Sequence, residues 1–520
     1  KEHFRLVALH AEDGAALGLR YDHVVTHGAY AGEAVLSDIV SKQGDTLVAH
    51  VGTRIDAGSG RIIALWEIKD GELVRQLAAY DHDEHGDLVR AQDENGAAWH
   101  YQYDRHLVTR YTDRTGRGMN LAYDTSIDSG LHAKAIREWR DDGSDDTRLE
   151  WDKNIRLTYV TDALGQETRY YYDIAGYTYR IVYPDGGEEW LFRDDAKNVV
   201  RHIHTDGSLD HHRYDAHGNL ITHTRADGSE VHFEYDDRHR ITGILDAEGG
   251  TWKRDYNAQG QLVEETDPRG NTTEYAYDKA GRPVQILDAK GGVKKLAYGA
   301  DGQLASYTDC SGHSSQWEYD ERKRLVKSTD AAGNATRYVY TPLSAETLVK
   351  AYSEGAGGGS GNHPGQLEAI IYPDGSQEHL RHDAEGRLLA HTDALRRTTA
   401  YRYTGAGSID RRIDALGHSL HYRWDVLGRL AALENENGSV YRFQYDPVGR
   451  LLQEQGFDGK TTEYHYDEAT GVLAETIDAG VTTKLAFDPM GRLRQHPAAT
   501  PGKPEQIETF AYTANGQLAE

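Results

Sequence analysis

The sequence of 520 residues lacks several features on which common folds and functions depend. Cys310 is the only cysteine, so an internal disulfide framework is excluded. No run of 18 apolar residues occurs, and a membrane-spanning helix is therefore not predicted. The sequence contains no Gly-x-Ser-x-Gly elbow, P-loop or dinucleotide fingerprint. These absences remove the best-known signals of a hydrolase or a nucleotide-binding enzyme.

Positive charge is also scarce relative to negative charge. The chain has 58 Lys and Arg against 84 Asp and Glu, which gives a net charge of −26. Such a balance opposes binding to nucleic acid and to anionic membranes, so neither is predicted as a partner. Much of the acidic excess consists of Asp residues in turn-like phrases, where solvated loops explain it.

What the sequence does contain is a repeat with a period of 21 residues. An aromatic residue followed four positions later by a turn glycine returns at this interval through most of the chain. A fixed period of this size is typical of repeat architectures. The repeat positions that we single out are Tyr256, Gly260, Tyr277, Asp278, Gly281, Tyr298, Gly302, Tyr319, Asp320, Tyr445, Asp446, Gly449 and Arg450.

Each repeat has the pattern of a β-hairpin. The phrase from Asp278 to Gly281 suits a type I turn followed by a glycine with positive φ. Between turns, Thr273, Tyr275 and Tyr277 point to one side of an alternating run that is rich in β-branched and aromatic residues. A helical solenoid would also be periodic, but no run shows an apolar stripe with a spacing of 3.6 residues.

The predicted fold is all-β, with tandem 21-residue hairpins forming a long spiralling antiparallel sheet. Open sheets rarely exceed about 10 strands without curling, and roughly forty are predicted here. Apolar residues are 38% of the chain, and Tyr (34) outnumbers Phe (7) and Trp (8) together, which favours a wall one sheet thick. We therefore expect a hollow shell or barrel-like cocoon.

Two regions are predicted along the chain. Residues 1–79 lack a clear period and are expected to form a divergent N-terminal β segment that caps the first strands. Residues 80–520 are expected to form the repeat shell and to continue beyond Glu520. The glycine-rich stretch from Ser353 to Gly365 keeps the phase of the repeat, so we expect a weakened hairpin with nothing inserted.

Candidate chemistry is sparse. His202 and His204 lie two apart on a predicted strand and could share a metal, although a polar strand face explains them as well. The run from Asp81 to Gln92 has the glycine of a calcium loop but lacks its final Glu. Carboxylate pairs are frequent because acidic residues are frequent. We predict no catalytic, cofactor-binding or metal-binding residue, and no cofactor.

The tyrosines leave a different class of function open. Rows of Tyr on a concave sheet could stack on sugar rings, as in a carbohydrate-binding adhesion module. The favoured interpretation is that Tyr packs within the hairpins. Placement separates the two, since a sugar-binding Tyr would be exposed and a packing Tyr half-buried.

The phrase Tyr-Asp-x-x-Gly-Arg-Leu, repeated at this step, resembles the YD repeats of Rhs-family proteins. It runs from Tyr445 to Leu451, and close variants start at Trp424 and Phe487. The resemblance covers roughly residues 80–518 and is strongest to the shell, or cocoon, of bacterial Rhs polymorphic toxins. It implies a spiral β-sheet that encloses a C-terminal toxin.

The resemblance also implies partners and a location. The cargo would be a toxin domain of the same polypeptide, delivered by type VI secretion with a PAAR/VgrG-like spike and a chaperone, and neutralised by an immunity protein. The protein would be made in the bacterial cytoplasm and then delivered into a target cell. The self-cleaving core of the family ends in an Asp-Pro-x-Gly-Leu-like phrase, which is not found in residues 1–520. No catalytic residue is therefore transferred, and no enzymatic activity is predicted.

Overall fold

A computed structural model describes residues 5–11, 15–28, 30–43, 45–125, 133–300, 302–342, 363–499 and 506–519 of the chain. Within these ranges every regular element is a β-strand. No helix long and apolar enough to cross a membrane occurs among the described residues.

The first strands are β1 (Ala8–His10), β2 (Ala15–Arg20), β3 (His23–Val24), β4 (Ala34–Val35), β5 (Asp38–Gln43), β6 (Thr46–Ile55), β7 (Ile62–Lys69), β8 (Glu72–His82), β9 (Leu88–Asp93), β10 (Ala98–Asp104), β11 (Leu107–Thr112), β12 (Gly118–Asp124), β13 (Lys134–Arg140), β14 (Thr147–Asp152), β15 (Leu157–Thr161) and β16 (Glu167–Tyr172). They are followed by β17 (Thr178–Val182), β18 (Glu188–Arg193), β19 (Val199–Ile203), β20 (Leu209–Tyr214), β21 (Leu220–Thr224), β22 (Glu230–Tyr235), β23 (Ile241–Leu245), β24 (Thr251–Tyr256), β25 (Leu262–Thr266), β26 (Thr272–Tyr277), β27 (Pro283–Leu287), β28 (Val293–Tyr298), β29 (Leu304–Thr308), β30 (Ser314–Tyr319), β31 (Leu325–Thr329) and β32 (Ala335–Tyr340). The last are β33 (Leu367–Ile371), β34 (Gln377–His382), β35 (Leu388–Thr392), β36 (Thr398–Tyr403), β37 (Ile409–Ile413), β38 (Ser419–Trp424), β39 (Leu430–Glu434), β40 (Val440–Tyr445), β41 (Leu451–Gln455), β42 (Thr461–Tyr466), β43 (Leu473–Asp478), β44 (Val481–Lys484), β45 (Ala486–Phe487), β46 (Leu493–Ala499) and β47 (Gln506–Thr509).

Almost all of these strands belong to one antiparallel sheet. It contains 45 strands, and β3 and β4 form a separate pair. Strands that are neighbours in the chain are generally neighbours in the sheet, as hairpin connections require. This confirms the predicted fold class of tandem 21-residue hairpins in a long antiparallel sheet.

The chain divides into two compact units, each assembled from stretches that are distant in sequence. The first comprises residues 1–119, 255–265 and 271–401. The second comprises residues 120–254, 266–270 and 402–520. In both units an early stretch of hairpins therefore accompanies a late one.

The hairpin turns are closed by backbone geometry that favours glycine. Gly281 has a φ of 78° and donates its N–H to the carbonyl of Asp278 at 3.0 Å. Gly270, in the turn between β25 and β26, has a φ of 80°. Lys323 takes the equivalent place after Asp320 with a φ of 62°, a conformation that costs a residue with a Cβ roughly 1–2 kcal/mol.

In many turns the opening aspartate satisfies the turn's free backbone donors. Asp278 Oδ1 accepts hydrogen bonds from the N–H groups of Ala280 at 2.8 Å and Arg282 at 3.0 Å. Its other oxygen, Oδ2, accepts from Arg282 Nε at 2.9 Å. Asn257 makes the same two backbone contacts through Oδ1 in the preceding repeat. One carboxylate thus orders the turn backbone and fixes the arginine that leaves it.

The glycine-rich stretch differs from expectation. Residues 353–362 lie outside the described residues, but β32 pairs directly with β33, with Tyr340 opposite Leu367. In the preceding repeat Tyr319 lies opposite Leu325. The interval from the tyrosine to its partner is therefore one full repeat longer here, and the expectation that nothing was inserted is wrong. The sheet itself is continuous across this point.

Few side chains are fully buried in the part of the chain that the structure describes. Nine hydrophobic residues there count as buried, among them Val25, Leu157 and Val231. The accessible surface is 30590 Å², against about 19,000 Å² for a compact monomer of this length. Side chains along the strands are mostly half-buried, as in a sheet with no thick apolar core.

Replacing Gly281 with Val is expected to destabilise one hairpin by roughly 1–2 kcal/mol, because a β-branched side chain is strained at positive φ. Hydrogen exchange of the amides in β26 and β27 should become faster. The reciprocal change Lys323→Gly should slow exchange in β30 and β31. If hydrogen exchange were unchanged in both variants, the assignment of Gly281 and Lys323 to positive-φ turn positions that affect hairpin stability would be contradicted.

A second prediction concerns acid. The hydrogen bond from Arg240 lowers the pKa of Asp236 to about 2. An unfolded Asp titrates near ~3.9, so the stabilisation is present above that pH and is lost as the pH falls towards 2. Asp236→Asn should unfold at a lower temperature than the wild type at pH 5, and the two should converge near pH 2.

The matched control is Asp237→Asn, which removes the same charge from the next residue and leaves the turn bonds in place. It should unfold like the wild type across this range. If the unfolding temperatures of Asp236→Asn and the wild type differed by the same amount at every pH, the proposed link between ionisation of Asp236 and stability would be contradicted.

Candidate functional site

In many repeats the tyrosine ties its strand to the strand before it. The hydroxyl of Tyr277 donates to the carbonyl of Leu262 at 2.7 Å, 15 residues earlier. Tyr298 makes the same bond to Pro283 at 2.9 Å. Burial raises the pKa of both hydroxyls, which keeps them protonated as donors. The same bond recurs at Tyr340, Tyr445 and Tyr466, where it links neighbouring strands of the sheet.

The arginine that follows the turn glycine links one repeat to the next. The Arg282 guanidinium lies 4.6 Å from the centre of the Tyr298 ring while it also pairs with Asp278. Such a cation over an aromatic face contributes about 0.5–1 kcal/mol at exposed sites. The same contact occurs for Arg324 over Tyr340, Arg429 over Tyr445, Arg450 over Tyr466 and Arg492 over Tyr512.

The structure places the predicted repeat positions in these two motifs. The tyrosines end strands and are half-buried, and the glycines have positive φ in the turns. Asp446 is the most enclosed of the turn carboxylates that we singled out, with 7% of its surface exposed. It accepts from Arg450 Nε at 2.6 Å. Tyr445 donates to the carbonyl of Leu430 at 2.8 Å.

Within the first unit, turns that are far apart in sequence contact each other. Arg114 donates its backbone N–H to Glu385 Oε1 at 2.7 Å. Arg387, after a later turn, donates to the hydroxyl of Thr115 at 2.9 Å. Arg322 reaches Asn95 at 3.0 Å. The late turns of this unit therefore lie against its early turns.

The second unit repeats this arrangement with different residues. Arg450 pairs with Asp185 at 3.2 Å, and Arg492 with Asp227 at 3.5 Å. Asn515 donates its N–H to Glu248 at 3.0 Å. Arg450 therefore makes three kinds of contact: with the aspartate of its own turn, with the tyrosine of the next repeat and with a distant aspartate. It reaches an aspartate about 265 residues earlier.

A cleft of about 1020 Å³ lies in the second unit between two such turn regions. One wall comes from residues 183–190 and 203–207, and the other from residues around Arg450 and from 466–471. Tyr183, Glu189 and His204 line the first wall. Both walls carry carboxylates, among them Glu189 on the first wall and Asp467 and Glu468 on the second.

Beside this cleft the structure brings together the two histidines noted in the sequence. On β18 and β19 the register places Leu191 opposite His202, so Glu189 shares a face with His202 and His204. One ligand atom from each of Glu189, His202 and His204 lies within 4.8 Å of the others. His202 Nε2 donates to Glu189 Oε1 at 2.5 Å, and the two imidazole centres are 3.8 Å apart.

Two further polar side chains, Asp210 and Tyr183, hydrogen-bond to these three. Asp210 on β20 accepts from His204 Nε2 at 3.2 Å. The hydroxyl of Tyr183 donates to Glu189 Oε2 at 2.8 Å. Burial and this bond raise the pKa of Tyr183 to about 12. Burial would raise the pKa of Asp210, but its histidine neighbours outweigh this and lower it.

Sequence reasoning identified His202 and His204 but missed Glu189 and Asp210. The register of neighbouring strands was the signal that could have found them, since His202 faces Asp210 across β19 and β20. The run from Asp81 to Gln92 is explained by its turn, in which Asp83 Oδ1 accepts from the N–H groups of His85 and Asp87.

Comparison with known families gives a direct match in sequence. The model of the RHS Repeat family matches residues 214–251, 256–293, 298–344 and 424–461. No curated protein sequence matches the chain.

Comparison with solved structures shows similar folds at low identity. The Tc holotoxin pore of Photorhabdus luminescens with a mutant TccC3 has a TM-score of 0.60 at 14% identity, over 97% of this chain and 30% of that chain. TcdB2-TccC3 without its hypervariable C-terminal region has a TM-score of 0.52 at 12% identity, over 97% and 35%. TcdB2-TccC3 has a TM-score of 0.51 at 12% identity, over 96% and 33%. This chain spans about a third of the length of those chains.

The similarity in fold extends over nearly the whole of this chain, and the sequence match falls on repeats of the same 21-residue hairpin. The tyrosine, aspartate, glycine and arginine of that hairpin make the same contacts from one copy to the next. The chain therefore contains RHS repeats in residues 214–251, 256–293, 298–344 and 424–461, and its fold resembles that of the Tc toxin chains.

Proposed function

We propose that this chain is a section of the wall of an encapsulating shell, which encloses a toxin domain of the same polypeptide until delivery. The observation that carries the proposal is the long antiparallel sheet of linked hairpins, similar in fold to chains of the Tc toxin structures. Residues 1–79 form the divergent N-terminal segment of this wall, and residues 80–520 form its repeat part.

The thinness of the sheet supports a container. Its side chains are mostly half-buried, and few form a solid interior within the described residues. Backbone hydrogen bonds and the tyrosine and arginine contacts supply the stability that a thick core would supply elsewhere. A wall of this kind uses little chain per unit of enclosed surface.

The contacts between distant turns support coiling of the ribbon. In both units the later turns meet turns that lie roughly 227 to 289 residues earlier. A recurrent offset is what a ribbon wound on itself requires, since each strand then meets the strand one winding before. Half-exposed ion pairs contribute only about 0.2–1 kcal/mol each, so many such contacts must act together.

The proposed mechanism is confinement. A wall around the toxin blocks its access to targets in the producing cell and limits the conformations that it can adopt. In this role the repeat region acts without catalysis. We further propose type VI secretion as the delivery route, with a PAAR/VgrG-like spike, a chaperone and an immunity protein as partners. The polypeptide would pass from the bacterial cytoplasm into a target cell.

The second candidate, a carbohydrate-binding adhesion module, has weaker support. Sugar stacking needs exposed aromatic faces. The repeat tyrosines are half-buried, and an arginine covers a ring face in repeats such as those of Tyr298 and Tyr445. Their hydroxyls are already bonded to backbone carbonyls.

Limited proteolysis of the natural polypeptide that contains residues 1–520 tests the shell. An enclosed segment should resist a protease that cuts it rapidly once the wall is unfolded. Tyr445→Ala removes a hydroxyl bond and the ring under Arg429, and a loss of one or two kcal/mol should speed cleavage roughly 5–30-fold. Mass spectrometry of the fragments gives the rates.

Tyr30→Ala is the matched control, because Tyr30 is 51% exposed and belongs to no repeat linkage. Its cleavage pattern should equal that of the wild type. Rapid cleavage of every segment in the wild type, or micromolar glycan binding that Tyr445→Ala abolishes, would contradict the shell and favour the second candidate.

A further inference from the structure

The arrangement of Glu189, His202 and His204 has the composition of a metal site. Two imidazoles and one carboxylate form a donor set that binds zinc and other divalent transition ions in proteins, with a further position left for water. The three residues lie on the neighbouring strands β18 and β19, which fixes their spacing through the sheet register. Their ligand atoms already lie within 4.8 Å of one another.

We propose that Glu189, His202 and His204 bind one divalent transition-metal ion, Zn²⁺, at the edge of the cleft in the second unit. Zinc fits because imidazole nitrogen and carboxylate oxygen are both among its usual ligands at about 2.0–2.2 Å. Calcium and magnesium prefer sets made of oxygen alone, which these residues do not provide.

The neighbouring groups are placed as a metal site requires. Asp210 accepts from His204 Nε2 at 3.2 Å, which orients that ring and leaves its Nδ1 for an ion. Tyr183 donates to Glu189 Oε2 at 2.8 Å and leaves the other oxygen, Oε1, facing His202. His202 and Glu189 are each 21% exposed, so the ion would be partly shielded from water.

Binding replaces the hydrogen bond between His202 and Glu189. Nε2 of His202 gives up its proton to become a ligand, and the neutral ring carries that proton on Nδ1 instead. The ion takes the place of the proton between the nitrogen and the carboxylate oxygen. His204 and Glu189 line the cleft, so water and the ion reach the site from there.

The site clamps β18 to β19. It does so independently of the turn contacts, because none of its ligands takes part in the Arg450 and Asp185 pair across the cleft. This role is additional to the proposed shell and does not depend on it.

The test is calorimetric titration of the metal-free chain with ZnCl₂, together with X-ray absorption at the zinc edge. The chain should bind one Zn²⁺ tightly, with a spectrum of two imidazoles and one carboxylate. Glu189→Gln and His204→Gln should each weaken binding at least about tenfold, and Asp210→Asn should weaken it by a similar or smaller factor.

His391→Gln is the matched control. His391 pairs with Glu378 at 2.9 Å on neighbouring strands, but the two form no three-ligand group in the part of the chain described. The His391→Gln variant should bind one Zn²⁺ with the same affinity as the wild type. Equal affinity of His204→Gln and the wild type would overturn the proposal. A wild-type spectrum without two imidazoles would overturn it as well, even if a variant failed to fold.

Discussion

The structure depends on how a carboxylate closes many of its hairpin turns. An aspartate such as Asp278 accepts two backbone N–H groups through one oxygen and an arginine through the other. The glycine after the turn provides a positive φ at no steric cost. The chain reverses direction within a short turn, so the contacts of that turn set the 21-residue period. They also keep each strand in register with the next.

The arginine that follows the turn connects it to other parts of the unit. Arg450 pairs with Asp446, lies over Tyr466 and reaches Asp185 in a much earlier turn. A single side chain thus joins a turn, the next repeat and a distant stretch of the same unit. The planar, permanently charged guanidinium suits this role, since it can pair and stack at once. A sheet with few buried side chains gains its stability from many such small contacts.

The exposed faces of a thin sheet also give individual strands room for local chemistry. The cluster around Glu189 and His202 interrupts no turn and disturbs no strand pairing. Polar side chains that a thick core would exclude remain half-buried here and satisfy one another. Variation on the faces of such a sheet is therefore compatible with a constant framework of turns.

Much of the fold could be predicted because its determinants are local. Alternation from Thr273 to Tyr277 indicates a strand, and the spacing from Asp278 to Gly281 indicates the turn. The prediction from the repeat phase was wrong at the glycine-rich stretch. The spacing is the same whether a repeat pairs in the sheet or is an extra segment between two paired strands. Only the register of Tyr340 with Leu367 decides that.

By itself, the sequence determined the β class, the period, the turn chemistry and the tyrosine positions, since each depends on residues a few positions apart. The tertiary structure alone decided that Arg450 meets Asp185 and that Glu189 joins His202. The first contact spans a large separation in sequence and the second depends on strand register. Both follow from how the strands pair and from which distant turns meet within a unit, and no local pattern of residues encodes that.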